Sequence, residues 1–423
     1  MKVLVIGSGG REHAICHSFA KSDRVSKLFC ANGNAGIAEL AACVDIRPDD
    51  VTNLVRFASE EAIDLTFVGG ETPLALGVVD EFELHNLRII GPSRAAARLE
   101  SSKAFAKDFM ARHGVPTAKY CAADSPDAAI AVLERGEFGD SGLPVVVKAD
   151  GLAAGKGVVV CESRAVAIRA VKEMTALVGA EAAGTIVLEE CLFGPEVSLL
   201  MFASGEDCAL MPATRDHKRI GDGHTGPNTG GMGTITDESL LSDEQTREII
   251  DQIIKPTLRG CVEEGFPFRG ILFLGLMMTG SGPKLLEYNV RLGDPETQAI
   301  LVRLETDLVE VCDAVGENRL HGIDVRWKSG SSACVVLAAK GYPAAARKGD
   351  VISGLDDAAG ALATTVFHAG TSRSPNGELL TSGGRILGVT STGFSVAAAL
   401  ETAYAGVRKI DFAGMQYRKD IGC

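Results

Sequence analysis

Short apolar runs alternate with helical patterns through the first hundred residues, and no other feature constrains the fold as strongly. Four of these runs are predicted as buried strands, at 3–6, 27–30, 65–68 and 87–90. Three helical patterns separate them, near 11–21, 52–62 and 74–85. Strands that alternate with helices build a parallel sheet with helices on both faces. The first part of the chain is therefore predicted to be a parallel α/β domain.

The rest of the chain mixes strands and helices in a different order, which predicts further α/β and α+β domains. Further strands are predicted at 145–148, 157–161, 185–190, 270–279 and 284–290. Further helices are predicted near 102–112, 163–178, 243–264 and 393–405. The polar, glycine-rich run 216–233 is predicted to be a long loop, and such loops are usually functional or disordered. Residues 331–423 are predicted to form a small α+β domain.

Composition and charge narrow the class of function. The chain has 423 residues, 46% hydrophobic and 23% charged, which is typical of a globular protein with several domains. Its net charge of −13 argues against nucleic acid or an anionic membrane as the main partner. The 11 cysteines show no C-x-x-C pair and no zinc-ligand spacing, and no apolar run reaches transmembrane length. Because the chain starts directly on a predicted strand, we expect a cytoplasmic protein with reduced thiols.

A glycine-rich turn, Gly7 to Gly10, follows the first strand and opens a helix. Backbone N–H groups at such a helix start can hold an anion. The turn is not a dinucleotide fingerprint, because Glu12 stands where the third glycine belongs and no acidic residue closes the second strand. A tight turn with no ligand explains this segment equally well.

A second glycine-rich segment, Gly151 to Gly157, lacks both the spacing and the context of a phosphate-binding P-loop. Its order is G-x-x-x-G-K-G and it lies between two apolar strands, whereas a P-loop opens a helix. A hairpin that closes over phosphates fits better, with Lys156 at its tip and Lys148 in the preceding strand. The alternative is a mobile hairpin with solvated lysines. Lys148 follows three valines, so we expect it to point inward or into a cleft.

Acidic residues follow the predicted strand 185–190. Glu189, Glu190 and Glu196 flank a strand-to-linker junction whose backbone can pair with an adenine edge. A carboxylate such as Glu196 can accept from ribose hydroxyl groups. A solvated acidic edge is the simpler interpretation of these residues taken alone.

Charged residues also border the glycine-rich run. Asp216-His217-Lys218-Arg219 places three cations beside Gly226–Gly233, a loop rich in backbone N–H groups. This combination indicates a site for a phosphorylated substrate. Glycine density alone fits a disordered loop as well.

The most specific stretch is LLEYNVRLGDPET at 285–297. Strand alternation puts Glu287, Asn289 and Arg291 on one face. The opposite face carries an apolar set, Leu286, Tyr288, Val290 and Leu292. Glutamate and asparagine oxygens suit a magnesium ion that also contacts nucleotide phosphates. Arg291 is then placed to neutralise a transferring phosphoryl group, and Asp294 adds a nearby carboxylate.

Together these segments resemble the phosphoribosylamine–glycine ligase family, also called the glycinamide ribonucleotide synthetase family, of the ATP-grasp superfamily. The resemblance covers nearly the whole chain. Its motifs are VLVIGSGGREH at 3–13, GPSRAAA at 91–97, SKAFAKDFM at 102–110, VVVKADGLAAGKGVV at 145–159, DHKR at 216–219, GPNTGGMG at 226–233, EYNVRLGDPETQ at 287–298, TSGGRILG at 381–388 and YRKDIG at 417–422. The chain departs from the usual pattern at Arg215, at His224, over 234–237 and over Gly70–Pro73, all on the substrate side.

The resemblance implies an ATP-grasp fold, in which two α+β subdomains hold ATP between them. It implies a Rossmann-like substrate domain at 1–101 and a small α+β domain at 326–423. The ATP-grasp domain would lie between them, at 102–325, with a lid subdomain at about 118–192.

The resemblance also implies roles for individual residues. ATP would be bound by Lys103, Lys148, Gly155, Lys156, Gly157, Glu189, Glu190, Leu192 and Glu196. Magnesium or manganese would be bound by Glu287 and Asn289. The substrates would be bound by Gly10, Glu12, Asn34, Gly36, Asp216, His217, Lys218, Arg219, Asn228, Thr229, Gly230, Gly231, Met232, Arg291, Gly293 and Asp294. Catalysis would depend on Lys148, Asp216, Arg291 and Asp294.

The implied reaction joins glycine to 5-phosphoribosylamine through a glycyl phosphate, giving glycinamide ribonucleotide, ADP and phosphate in purine synthesis. We expect a monomer with small-molecule substrates and no nucleic-acid or membrane partner. One alternative is another ATP-grasp ligase, such as a carboxylase component that uses bicarbonate. Another is a non-catalytic nucleotide-binding or redox protein built on the N-terminal domain, against which the incomplete dinucleotide fingerprint and the strand at 287–291 both argue.

Overall fold

The N-terminal domain is a five-stranded parallel sheet packed between helices. The computed structural model describes residues 1–139, 142–152, 157–360 and 364–423. The strands are β1 (Lys2–Gly7), β2 (Lys27–Asn32), β3 (Ala42–Val44), β4 (Leu65–Val68) and β5 (Ile89–Ile90). The helices are α1 (Gly10–Phe19), α2 (Val51–Glu60), α3 (Glu71–Ala75), α4 (Val78–Leu84) and α5 (Arg94–Ser101). The strand order β3-β2-β1-β4-β5, with every pair parallel, confirms the predicted Rossmann-like sheet.

Strand β1 shows why this sheet is covered on both faces. Leu4 and Ile6 belong to one apolar cluster, which includes residues of α2 and α4. Val3 and Val5 belong to a second cluster, which includes residues of α1. All four side chains are fully buried. A continuous apolar run is therefore needed here, as in other strands buried on both faces of a parallel sheet.

Helix α6 (Lys103–Arg112) leads into a four-stranded antiparallel sheet, which we call the lid. The lid strands are β6 (Tyr120–Ala123), β7 (Val145–Ala149), β8 (Val158–Cys161) and β9 (Ile186–Glu190), in the order β6-β9-β7-β8. Helices α7 (Pro126–Glu134) and α8 (Arg164–Val178) share an apolar cluster with this sheet. Gly157 accepts from Ala149 N at 2.8 Å at the base of the β7–β8 hairpin. Two residues predicted to bind ATP, Gly155 and Lys156, lie outside the described residues.

The largest sheet begins after the lid and extends to the C-terminal part of the chain. Strands β10 to β17 lie at Glu196–Ser204, Asp207–Leu210, Thr214–Asp216, Arg219–Gly221, Thr225–Asn228, Gly233–Thr236, Arg269–Thr279 and Gly282–Asn289. Helices α9 to α12 lie at Asp243–Ile249, Lys255–Glu263, Glu296–Leu301 and Leu308–Gly316, with a π-helical turn at Ile250–Ile254. Strands β18 to β22 lie at Ser331–Ala338, Thr364–His368, Thr371–Arg373, Leu379–Thr381 and Arg385–Gly393. Helices α13 and α14 lie at Leu355–Ala359 and Val396–Val407.

Nine of these strands form one sheet, in the order β17-β16-β10-β12-β15-β18-β22-β19, with β11 paired to β10. Strand β15 pairs antiparallel with β18, so the sheet continues across residue 326, the expected start of the C-terminal domain. Two small antiparallel pairs, β13–β14 and β20–β21, stand outside it. The continuity brings the C-terminal part of the chain close to the strands of the central part.

Two sequence expectations about secondary structure are wrong. The predicted helix 74–85 is broken into α3 and α4 at Gly77, whose φ of 86° does not fit an α-helix. The predicted loop 216–233 contains the hairpin β13–β14. Its strands are only three and four residues long, too short for the period-two pattern that identifies a strand in a sequence.

All 11 cysteines are free thiols. Burial raises the pKa of Cys161 to about 11, which disfavours its reactive thiolate form.

Across the parts of the chain that the structure describes, no helix is both long enough and apolar enough to span a bilayer.

Candidate functional site

The lid meets the large sheet at β17, and Lys148 lies in this junction. Lys148 is 5% exposed, and its Nζ is 2.7 Å from Glu189 Oε1. The same Nζ donates to Leu286 O at 3.3 Å. Lys148 and Glu189 belong to the lid and Leu286 to β17, so this lysine connects the two units. The expectation that Lys148 points inward is confirmed.

A second lysine, Lys107, completes this junction and was missed in the sequence. Its Nζ lies 2.9 Å from Glu189 Oε2 and donates to Thr117 Oγ1 at 2.7 Å. Thr117 in turn donates to Leu285 O of β17 at 2.5 Å. Burial, reinforced by Lys148, lowers the pKa of Lys107 to about 8. Glu189 is thus held between two buried lysines, which differs from the adenine-hinge role implied by its motif.

Helix α6 also carries Lys103, one turn before Lys107. Lys103 Nζ donates to Gly151 O at 2.8 Å, and burial lowers its pKa. Asp150 accepts from Ala104 N at 3.1 Å, so the start of the glycine-rich segment is tied to the start of α6. Residues four apart lie on one face of a helix, and this spacing was the signal that could have identified Lys107.

The linker between β9 and β10 contains the other predicted nucleotide residues. Glu190 Oε1 accepts from Lys119 N at 2.8 Å, while Leu192 is partly exposed. Glu196 is exposed, and its Oε2 lies 3.5 Å from Lys218 Nζ. Because this linker is open to solvent, its backbone and the Glu196 carboxylate are accessible to a ligand.

Strand β17 carries the residues predicted to bind a metal ion, and it contains an irregularity. Its pairing with β16 skips Leu286, which lies between the paired residues Leu285 and Glu287. Leu285 and Tyr288 are buried, whereas Leu286 is partly exposed. The predicted place of Leu286 on the apolar face is therefore wrong, because a bulge shifts the alternation of side chains.

Glu287 faces a group of lysines. Burial alone would raise its pKa, but Lys218, Lys148 and Lys103 outweigh burial and lower it. The carboxylate is therefore ionised at neutral pH. Lysines from the lid, from α6 and from the segment between β12 and β13 thus surround one acidic residue, which leaves positive charge for an anionic ligand such as a polyphosphate.

The guanidinium of Arg291 is held by several protein groups. Its Nη2 lies 2.8 Å from Glu100 Oε1 and donates to Asn289 Oδ1 at 3.0 Å. Its Nε donates to Glu71 Oε2 at 3.2 Å. These contacts fix the plane of the guanidinium at the end of β17, where it borders the cleft.

Glu71 and Glu100 were not predicted as site residues, and both come from the first 101 residues. Glu100 also accepts from Val290 N at 2.8 Å, so one buried carboxylate fixes both the strand and the side chain of Arg291. Burial alone would raise the pKa of Glu71, but Arg291 and Arg11 outweigh it and lower the pKa to about 2. The N-terminal domain therefore positions a residue of the central domain.

The loop after β17 is held by the C-terminal part of the chain. Asp294 Oδ1 accepts from Gln298 Nε2 at 2.9 Å, and Asp294 Oδ2 lies 3.4 Å from Arg385 Nη2. Arg385 Nη1 donates to Asp294 O at 2.6 Å and to Gly230 O at 2.5 Å. Gly293 is buried beside them, with no room for a side chain. Arg385 belongs to the motif TSGGRILG, but its approach to Asp294 was not predicted.

The start of α1, considered as an anion site, already contains a carboxylate of the chain. Glu12 Oε2 accepts from Gly9 N at 2.6 Å, and Glu12 Oε1 accepts from Arg11 Nε at 2.6 Å. A negative charge at this position is stabilised by the helix dipole. The N–H group of the N-cap residue Gly9 is therefore satisfied internally, while anion binding by the other N–H groups of this turn stays a prediction.

The other predicted residues of the N-terminal pocket also make internal contacts. Asn34 Nδ2 donates to Ser8 O and His368 O, each at 2.8 Å. Gly10 and Gly36 are packed so closely against neighbouring side chains that neither leaves room for a Cβ atom. These residues hold the N-terminal domain against the C-terminal part of the chain.

The predicted cluster of three cations contains only two. His217 is 1% exposed, its Nδ1 lies 3.1 Å from Gly233 O, and its Nε2 accepts from Gly422 N at 2.9 Å. Burial lowers the pKa of His217 to about 4, so the ring is neutral at physiological pH. Lys218 and Arg219 remain as the charged members, since both side chains are exposed.

Asp216 and Lys218 border the cleft, whereas Arg219 turns away. Arg219 Nη1 donates to Gly226 O at 2.7 Å within its own hairpin. Burial and the nearby Glu296 raise the pKa of Asp216. Asp216 and Lys218 are therefore the members of this motif best placed to bind a substrate.

The end of β14 and the loop that follows it contain the remaining predicted substrate residues: Asn228, Thr229, Gly230, Gly231 and Met232. Thr229 N and Oγ1 each donate to Lys218 O at 2.8 Å, which holds the loop against the hairpin. Gly230 N donates to Tyr342 Oη at 3.0 Å. Met232 is fully buried, so it contributes to packing.

Comparison with known proteins identifies the relatives of this chain. The family model for the phosphoribosylglycinamide synthetase ATP-grasp (A) domain matches residues 101–297, and those for the N and C domains match 1–100 and 332–423. A phosphoribosylamine–glycine ligase of Xanthomonas axonopodis pathovar citri is 46% identical over 426 residues, covering 100% of this chain and 97% of that protein.

Solved structures agree with this comparison. A crystal structure of phosphoribosylamine–glycine ligase from Thermotoga maritima superposes with a TM-score of 0.84 at 34% identity, covering 99% of this chain and 100% of that one. A biotin carboxylase domain from Hydrogenobacter thermophilus superposes with a TM-score of 0.74 at 17% identity, over 98% of this chain and 91% of that one. The second likeness concerns the fold alone.

A lid of antiparallel strands that faces a larger sheet across a lysine-lined cleft defines an ATP-grasp enzyme, and such enzymes use ATP. Within this class, the chain belongs to the phosphoribosylglycinamide synthetase family. It is thus an ADP-forming ligase of de novo purine synthesis.

Proposed function

We propose that this chain joins glycine to 5-phosphoribosylamine by transferring the γ-phosphoryl group of ATP to the glycine carboxylate. A carboxylate is a poor electrophile toward an amine, and phosphorylation gives it a good leaving group. Attack by the amine on the glycyl phosphate then releases phosphate and forms the amide of glycinamide ribonucleotide. The named ligases from Xanthomonas and Thermotoga support this pair of substrates.

The observation that carries the proposal is the convergence of lid and β17 residues on one cleft. Lys148 binds Glu189 at 2.7 Å and contacts the backbone of Leu286, which precedes Glu287. The lysines around Glu287 lower its pKa, which means that their charges act on the same small volume. Phosphoryl transfer needs mainly positioning and charge neutralisation, and this cleft supplies both.

On the nucleotide side, Lys103 and Lys148 would contact phosphates, together with the glycine-rich segment 155–157. The linker residues Glu190, Leu192 and Glu196 would bind adenine and ribose, as their exposure allows. Glu189 would act indirectly, by holding Lys148. Arg291 would stabilise charge on the transferring phosphoryl group.

Glu287 and Asn289 would hold magnesium or manganese. Their carboxylate and amide oxygens are hard ligands, and they stand two residues apart on β17. Asn289 Oδ1 already accepts from Arg291, but an amide oxygen has a second lone pair. Phosphates and water would complete the coordination of this ion, as is usual for magnesium. Such an ion would neutralise phosphate charge.

On the substrate side, Asp216, Lys218 and Asp294 would surround glycine and the amine. Gly293 lies beside Asp294 and is packed against Glu296 and Phe273, so it would contribute backbone groups to this region. The remaining predicted contacts come from the loop 228–232 and from Arg291. These roles place the acyl phosphate between β17 and the hairpin β13–β14.

The decisive experiment is ADP release with glycine and phosphoribosylamine added separately and together. We expect turnover that requires glycine and becomes maximal only with the amine. ADP release that depends on bicarbonate and ignores glycine would favour the carboxylase alternative. No ADP release under any of these conditions would contradict both functions.

We also propose that the enzyme is a cytoplasmic monomer with domains at 1–101, 102–325 and 326–423. The free cysteines support a reducing compartment. Light scattering coupled to size-exclusion chromatography tests the oligomeric state, and a mass near twice 44.2 kDa would contradict the monomer.

A further inference from the structure

The motif YRKDIG at 417–422 has no role in the site described so far, yet it contains an unusually placed charge. Arg418 is 0% exposed, and it is the largest fully buried side chain among the residues that the structure describes. Its Nε and Nη2 each lie 2.7 Å from one oxygen of Asp420, and Nη1 donates to Arg219 O at 3.3 Å. Burying a guanidinium is costly unless it is fully paired, so this arrangement indicates a specific structural requirement.

The segment that contains Arg418 runs along the hairpin β13–β14 and bonds to its turn. Gly223 N donates to Asp420 Oδ2 at 2.8 Å. Lys419 N donates to Asp222 Oδ1 at 2.8 Å. The ion pair Arg418–Asp420 therefore holds both the first strand of the hairpin, through Arg219 O, and its turn.

The same segment also bonds to the residues just before the hairpin. Arg215 Nη2 donates to Gly422 O at 2.8 Å. Gly422 N donates to His217 Nε2 at 2.9 Å. Arg215 is one of the departures from the family pattern, and this contact gives it a function in the present chain.

Extended backbone turns successive side chains to opposite sides, and the contacts follow this rule. Arg215 and His217 bond to residues 418–422, whereas Asp216 and Lys218 turn to the other side. There Asp216 Oδ1 accepts from Thr234 Oγ1 at 3.5 Å, and Lys218 Nζ lies 3.5 Å from Glu196 Oε2. A displacement of one side of this chain segment therefore displaces the other. The contacts of 418–422 consequently determine where Asp216 and Lys218 stand.

We propose that residues 417–422 form a clamp that positions Asp216 and Lys218 for the substrates bound beside the nucleotide. Arg418 and Asp420 are positioning residues in this proposal, because they touch the hairpin and not the reacting atoms. The inference rests on the proposed function only for the identity of those substrates. The effect of the clamp on the hairpin can be tested without measuring turnover.

The test uses Asp420→Asn as its main variant, because Asp420 lies closer to the surface than Arg418, with 23% of its side chain exposed. Asparagine can still accept from Gly223 N but lacks the charge that pairs with Arg418. The matched control is Asp350→Asn, which removes the charge of another Arg–Asp pair of the C-terminal part, with Arg347 Nε at 2.8 Å. Arg418→Lys serves as a second variant that keeps the buried charge and loses the two-point pairing.

Two measurements are made on each folded protein. The first is limited trypsin digestion with mass spectrometry, since Arg215, Lys218 and Arg219 are cleavage sites within the clamped segment. The second is the set of KM values for ATP, glycine and phosphoribosylamine. We expect cleavage at 215–219 to become at least about tenfold faster in Asp420→Asn and Arg418→Lys, and unchanged in Asp350→Asn.

We expect kcat/KM for glycine or phosphoribosylamine to fall about 10- to 100-fold while KM for ATP stays within about twofold. A variant with wild-type cleavage and wild-type kinetics would overturn the clamp. An equal rise in the KM values for ATP, glycine and phosphoribosylamine would show a general structural role, and it would also overturn the clamp. If the wild type uses neither glycine nor phosphoribosylamine, the proposed function fails, whereas the proteolysis result still decides the clamp.

Discussion

Glu71 joins Arg291 to Arg11, and replacing it with glutamine tests how strongly this charge supports the site. Its pKa is lowered from an ordinary 4.5 to about 2. One pKa unit corresponds to about 1.4 kcal/mol, so the ionised carboxylate contributes at most about 3.5 kcal/mol to the free energy of unfolding. Solvent screening of its side chain, which is 30% exposed, reduces this to about 2 kcal/mol.

The sign of the pH dependence follows from the lowered pKa. The stabilisation is fully present above the ordinary value of 4.5 and is lost as the pH falls toward 2. Urea unfolding of wild type and Glu71→Gln at about pH 7 should therefore differ by about 2 kcal/mol, and the difference should shrink at about pH 3. Turnover should fall about tenfold at neutral pH, because Arg291 keeps Glu100 but loses one of its two carboxylates.

The matched control for this experiment is Glu264→Gln. Glu264 pairs with Arg112 at 2.9 Å and with His113 at 2.8 Å, and none of these residues belongs to the cleft. Its replacement should change stability without changing turnover. A Glu71→Gln protein that differs from wild type by the same amount at both pH values, or whose turnover equals that of the control, would contradict this role of Glu71.

Other substitutions test other parts of the site. Glu287→Ala should lower turnover by about two to three orders of magnitude, measured as ADP release, and near wild-type turnover would exclude its proposed role with the metal ion. Lys107→Met should raise KM for ATP more than KM for glycine, because Glu189 then loses one of the two lysines that hold it, and an unchanged KM for ATP would contradict this. ATP should protect the segment 151–157 from protease cleavage, as expected of a hairpin that covers phosphates, and cleavage at equal rates with and without ATP would count against that role.

The parts of the fold that could be predicted are those encoded by local periodicity. The apolar run 3–6 needs burial on both faces, so a parallel sheet could be inferred without knowing its partners. The run of three valines before Lys148 likewise predicted that this lysine is buried, and it is 5% exposed. Prediction was wrong where local order breaks, as at Leu286, where a bulge is set by the pairing with β16.

The sequence by itself determined the parallel N-terminal sheet, the buried position of Lys148, and the strand that presents Glu287 and Asn289. Each of these depends on neighbours within a few residues, and a repeat of two or of about 3.6 residues makes such neighbours visible. Only the tertiary structure decided which of these groups are paired. Arg291 meets Glu71 across 220 positions and Gly422 meets His217 across 205, and no local pattern reports contacts at that separation. The neutral state of His217 is decided in the same way, because its pKa depends on burial by distant parts of the chain.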